Sequence, residues 1–248
     1  MDVKTKVKML VQQVVEAYLK EQLQVKEKQS IAILLGYQSQ DPSIVLEAVT
    51  PLIESHDVTL ILSKEWLPIP SELSGNKYVL LEESTQTELV KIVETSSILV
   101  VPVAAYRLVS KLALTIDDEL AVWLAIQYQL LGKPIVIAKD LIEPTVYQQI
   151  HSPHSVQERL QSYIRQIQAD QVKWVSLSKL AQTVKDQQVL HNEKQSLILA
   201  KHVEKAYQDG LKEIAVPEKS RVTPSAKDLA KELKIHINKK TPGKEGRT

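Results

Sequence analysis

The sequence predicts an α/β fold built on a mainly parallel, Rossmann-like sheet, with an N-terminal amphipathic helix and a small C-terminal α/β module. Three observations carry this. The apolar runs Ile31–Leu35, Ser97–Val103 and Pro134–Ala138 are near-continuous Val/Ile/Leu stretches, not alternating ones, as expected of strands covered on both faces. Segments of helical apolar period separate the runs, the alternation that makes a parallel sheet. The stretch from Val100 to Asp140 reads as strand, loop, helix and strand, one complete crossover unit.

Taken in order, residues 3–23 predict an amphipathic helix, with Val7, Leu10, Val11, Val14, Val15, Tyr18 and Leu19 at helical spacing and Lys, Gln and Glu between them. Residues 24–30 are polar and read as a linker. Ile31–Leu35 is the first strand, ending at Gly36. Asp41-Pro42-Ser43 opens a helix to about Ser55. Asp57–Leu62 is a strand followed by Ser63, Tyr78–Leu81 a short strand, and Thr87–Glu94 a helix. After Gly132-Lys133-Pro134 and its strand come a polar loop holding His151 and His154, a helix over 155–169, a strand over Val172–Val175 and a short helix over Lys179–Val184. Composition breaks at 186–194. Beyond it, a strand over Leu197–Leu199 leads to a helix over Lys201–Gln208 closed by Asp209-Gly210. Next are a strand over Glu213–Val216, a helix capped by Thr223 with Pro224 at its first position, and a strand over Ile235–Ile237. The tail from Lys239 is polar and predicted to be disordered. The expected boundaries are 1–29 for helix and linker, 30–188 for the main domain, 195–240 for the small module and 241–248 for the tail.

Composition narrows the function classes. With 31 basic and 30 acidic residues the net charge is +1, which supplies no electrostatic case for nucleic acid or an anionic membrane. There is no Cys, hence no disulfide framework, thiolate metal site or Cys nucleophile. No apolar stretch is long enough to cross a bilayer and no signal-peptide core opens the chain, so the expectation is a cytoplasmic protein. Phe is absent, which leaves the core to Val, Ile and Leu.

In parallel sheets ligands bind beyond the carboxyl ends of the strands, so the loops there hold the candidate chemistry. Gly36 to Ser43 offers backbone N–H groups and the Ser39 and Ser43 hydroxyls at a helix start, suited to a phosphate; the competing reading is an ordinary turn capped by Asp41 or Ser43. Ser63 faces the same crevice. Pro102 to Arg107 is the best cofactor loop: Ala104 and Ala105 are small enough to admit a ring, and Arg107 presents a bidentate fork to phosphate or carboxylate, set against a plain exposed Arg in a first helical turn. Asp117 and Asp118 are adjacent, do not share a helix face, and suit a helix start better than a metal. The six His form no ligand cluster, and neither a Ser-His-Asp arrangement nor a Walker loop is recognisable, so no metal and no catalytic residue are assigned.

The runs VVPV at 100–103, SKLAL at 110–114, IDDELA at 116–121 and GKPIVIA at 132–138 resemble the flavoprotein family that includes the homo-oligomeric flavin-containing cysteine decarboxylases. The segment LILAKHVEKAYQDGLKEIAVPEKSRVTPSAKDLAKELKIHI, above all Thr223 to Asp228, resembles a module of ethanolamine- and propanediol-type bacterial microcompartment proteins. The N-terminal helix resembles short targeting helices that recruit cargo to such shells. The resemblance implies a Rossmann-like fold, FMN as cofactor, a homo-oligomer, and shell or cargo partners reached through the N-terminal helix. It places Gly36, Ser39, Ser63, Pro102, Ala104, Ala105 and Arg107 at the flavin. Flavin-binding members carry Asn-Thr where this chain has Arg107-Leu108, and Gly where it has Thr115; the decarboxylases' upstream His and their Pro-x-Met-Asn run are missing. Two readings follow: an FMN-binding redox or flavin-handling protein of a microcompartment, and a relative without catalysis that serves as a scaffold. A third has Arg107 adapting the crevice to another anion.

Overall fold

The computed structural model describes residues 30–193, 196–217 and 220–240. The expected N-terminal helix over 3–23 and the tail from 241 lie outside the described residues. The chain divides into two compact units after Gln188.

The first unit is a six-stranded, wholly parallel sheet. Its strands are β1 (Ser30–Leu35), β2 (Asp57–Leu62), β3 (Lys77–Leu80), β4 (Leu99–Val101), β5 (Ile135–Ala138) and β6 (Lys173–Val175), in the order β3-β2-β1-β4-β5-β6. This is the doubly wound Rossmann order, which reverses direction between β1 and β4. The helices are α1 (Pro42–Ser55), α2 (Gln86–Thr95), α3 (Tyr106–Leu114), α4 (Leu120–Leu130), α5 (Val146–His151), α6 (His154–Ala169) and α7 (Leu180–Glu193). Ile31, Ala32, Ile33, Leu34 and Leu35 are fully buried, as are Leu99, Val100 and Val101, because helices cover both faces of the central strands. Without Phe, the core is filled by these branched side chains, with Tyr128 among the largest fully buried groups.

Four expectations are corrected. The helical stretch before β5 is two helices: Thr115 turns left-handed (φ 56°), and Ile116 N–H reaches back to Lys111 O at 2.8 Å, closing α3 five residues before α4 begins. The region expected as a polar loop contains α5, fixed by a capping box in which Thr145 and Gln148 satisfy each other's backbone N–H. His151 ends that helix and His154 begins α6. The short helix after β6 runs on to Glu193, through the composition break. Lys239 and Lys240 belong to a strand rather than to the tail.

The second unit makes two βαβ passes. β7 (Leu197–Ile198), α8 (Ala200–Gln208) and β8 (Glu213–Pro217) form one; β9 (Arg221–Val222), α9 (Pro224–Glu232) and β10 (His236–Lys240) form the other. Equivalent strands pair in parallel, β7 with β9 and β8 with β10. Both helices close alike. Leu211 N–H bonds to Ala206 O at 2.9 Å past Gly210, and Ile235 N–H bonds to Ala230 O at 2.8 Å past Lys234. As expected, Thr223 caps α9, its hydroxyl accepting from Ala226 N–H, with Pro224 next. The buried core cluster is Val203, Ala206, Ala226, Ala230 and Ile235, and Ile198 and Val216 are buried as well.

Candidate functional site

Between β1 and β4 the crossovers leave the sheet in opposite directions, which opens a crevice beyond the carboxyl ends of the strands. All seven residues singled out in the sequence lie on segments that follow β1, β2 and β4 there. Gly36 and Ser39 follow β1, Ser63 follows β2, and Pro102, Ala104, Ala105 and Arg107 follow β4. Ser63 is tied beside the β1 end, its N–H donating to Leu35 O at 2.9 Å.

Gly36 sits where chains crowd: a Cβ there would stand 3.3 Å from Leu34 Cδ1 and 3.4 Å from Ala121 Cβ. Ser39 is buried, and its Oγ accepts from Asp41 N–H at 3.2 Å. The start of α1 is closed by its own residues. Asp41 accepts from Ser43 N–H and Ile44 N–H, and Pro42 has no N–H to give. A carboxylate thus occupies the position at which a phosphate would exploit that helix end. The start of α3 differs: its flanking residue, Ala105, makes no side-chain cap.

The Ser63 hydroxyl is buried and has no hydrogen-bond partner among the described residues. A buried polar atom without a partner costs about 1–3 kcal/mol, so it marks a point where a ligand or water is expected. Pro102 and Ala104 are buried and Ala105 half-buried, making a small-residue wall after β4.

Three residues that the sequence did not mark complete the site. Tyr37 is buried, its carbonyl accepting from the Trp66 indole at 2.9 Å. Its hydroxyl donates to Glu119 at 3.4 Å, and the Arg107 guanidinium lies over its ring, 4.8 Å from the centroid. Arg107 Nε is 3.7 Å from Glu119, whereas Lys111 holds the same carboxylate at 2.5 Å and Asp118 at 2.8 Å. Lys111 is the closer counter-ion of Glu119 and Arg107 the looser one. Burial, followed by the Glu119 charge, pushes the Tyr37 hydroxyl above its ordinary range, while Arg107 opposes the shift. The hydrogen bonds to Asp118 and Glu119 raise Lys111. Glu119 is eighty-two residues from Tyr37, and no local pattern announces such a partner. Asp118, expected at a helix start, precedes the helix that begins at Leu120 and pairs with Lys111. No group of three or more metal-ligating side chains occurs among the described residues.

No protein-family model and no curated protein matches the sequence. Solved structures do match. DmrB of Burkholderia xenovorans, a cubic protein cage for redox transfer, aligns in its apo form with a TM-score of 0.52 and 15% identity, over 67% of this chain and 99% of DmrB. Its complex with FMN aligns with a TM-score of 0.51 and 16% identity over the same shares. The FMN-dependent cysteine decarboxylase TvaF of thioviridamide biosynthesis aligns at 0.47 and 12% identity, over 66% of this chain and 99% of TvaF. At 15–16% identity the DmrB likeness establishes a shared fold, the Rossmann-like α/β architecture read from the sequence.

Proposed function

We propose that the first unit is a flavoprotein that binds FMN in the crevice between β1 and β4. The observation that carries this reading is the Ser63 hydroxyl, buried and unpartnered after β2, with the small residues Pro102, Ala104 and Ala105 after β4. Ser63 and the wall Pro102, Ala104 and Ala105 fit the group: they supply a polar contact and room for a flat ring. When bound, FMN supplies one- and two-electron redox chemistry, and the chain binds it, orients it and excludes water. DmrB, which shares the fold, is a redox-transfer protein with an FMN complex. The test is an absorption spectrum of the concentrated protein after FMN is added and the excess removed. Retained flavin bands that weaken in Ser63→Ala support the reading, and a colourless, folded protein overturns it.

A second reading is a scaffold that does not bind flavin. It is favoured by the Arg107, Tyr37 and Glu119 contacts within the crevice mouth and by Asp41 at the α1 start. For either reading we infer a homo-oligomer within a bacterial microcompartment, supported by the Thr223–Asp228 resemblance. Deleting residues 1–24 is expected to abolish association with shell or cargo proteins, and unchanged co-purification with a shell would refute the targeting role.

A further inference from the structure

We propose that the crevice takes the anionic group of its ligand at Arg107, on the β4 side, and not at the Gly36–Ser43 turn, and that Ser63 meets the uncharged polar part of the same ligand. This deepens the flavin reading and rests on it. Two helices start at the switch point, and they are chemically unlike. At α1 the Asp41 carboxylate already accepts the Ser43 and Ile44 N–H groups, so an incoming phosphate finds a negative charge and spent donors. Ser39 Oγ is engaged by Asp41 N–H. On the β4 side the positive group is Arg107 itself.

Arg107 is held in place without being used up. The Tyr37 ring is its platform, and its Nε stands 3.7 Å from the Glu119 carboxylate. Lys111 holds that carboxylate far more closely, so Glu119 steers the guanidinium while most of its charge is met elsewhere. Beside the Tyr37 hydroxyl, the terminal amino groups of Arg107 present a planar fork, the arrangement that grips a phosphate or carboxylate through two parallel hydrogen bonds. The Arg107 side chain is 57% exposed, open to a ligand from solution. The Ser63 hydroxyl is the independent sign of a ligand. It follows β2, and β2 and β4 flank β1, about 10 Å apart across the sheet at ordinary strand spacing. A ligand that reaches both Arg107 and Ser63 carries an anion at one end and hydroxyls or ring polar atoms towards the other, as flavin mononucleotide does.

The test compares FMN with riboflavin, which differ only by the phosphate, on the full chain and four variants, following quenching of flavin fluorescence. Arg107→Ala is expected to weaken FMN by about tenfold to a hundredfold and to leave riboflavin within about twofold, the size of a lost charge-assisted hydrogen bond. Ser63→Ala is expected to weaken both ligands alike, and Ser39→Ala neither. Arg107→Lys, which keeps the charge but not the fork, should fall between wild type and Arg107→Ala. If Ser39→Ala removes the preference for FMN and Arg107→Ala does not, the anion site proposed here is wrong while the flavin reading stands. Should neither flavin bind, the flavin reading fails, and inorganic phosphate then decides the site through the line width of its phosphorus resonance. Broadening by wild type that Arg107→Ala abolishes upholds the Arg107 site, and no broadening overturns it.

Discussion

Tyr128 is wholly buried on α4, and its hydroxyl shares a hydrogen bond with Ser96. Burial raises its ionisation well above the ordinary tyrosine range. The sign of the consequence follows directly. The unfolded chain releases the phenolic proton near pH 10 and the native state retains it, so the stabilisation is complete below pH 10 and is lost as pH rises from there towards the raised native value. Each pH unit above 10 is expected to cost about 1.4 kcal/mol through this one group. Alkaline titration followed at the tyrosinate absorption band should show the Tyr128 fraction appearing only with unfolding; Tyr128→Phe should flatten the loss, and a variant with an unchanged alkaline slope would refute the assignment. The neighbouring Lys133 ammonium donates to Val93 O, Glu94 O at 3.0 Å and Ser96 O at 2.7 Å, covering the carbonyl end of α2. In the sequence, Lys133 reads only as part of the Gly-Lys-Pro signal before a strand. Its partners lie thirty-seven to forty residues away, so no local pattern could have revealed them. Tyr37 and Glu119 were missed for the same reason. Arg107 was found because its residue type and its place after a strand are local facts.

At the scale of elements, legibility depended on how each helix ends. Gly132 (φ 63°) and Gly210 (φ 73°) take the left-handed position after α4 and α8, and both ends were predicted. Thr115 (φ 56°), Gln171 (φ 69°) and Lys234 (φ 56°) hold the same conformation with side chains that disfavour it. The sequence carries no breaker at Thr115, which is why two helices read as one. The starts were easier to read: Asp41 and Thr223 cap as their positions suggested. A β-branched residue in the left-handed region is strained by about 1–2 kcal/mol. Thr115→Gly is therefore expected to stabilise the first unit by about 1 kcal/mol, since relief of that strain outweighs the added freedom of the unfolded chain. A chemical-denaturation midpoint measures this, and an unchanged or lowered midpoint would mean that the Thr115 side chain makes up for its own strain. Because Thr115 fixes the loop that carries Asp118 and Glu119 towards Lys111 and Arg107, the same variant also tests whether the crevice network tolerates a looser hinge.

For the whole molecule, the two units differ in how much core they own. The first encloses both faces of a six-stranded sheet; the second closes two short parallel pairs around Val203, Ala206, Ala226, Ala230 and Ile235. Three of those five side chains are alanines, and apolar stabilisation scales with buried area at roughly 25 cal/mol per Å², so the second unit gains far less from burial. It is expected to unfold at lower denaturant than the first. The sequence supplies a natural reporter, because all three tryptophans, Trp66, Trp123 and Trp174, lie before residue 189, whereas helices α8 and α9 lie beyond it. Tryptophan fluorescence therefore follows the first unit alone, while far-ultraviolet circular dichroism follows both. The circular dichroism curve should begin to fall before the fluorescence changes, by an amplitude matching the helices of the second unit. Coincident curves would show instead that the two units unfold as one cooperative body, and that the small core draws its stability from contacts beyond its own buried side chains.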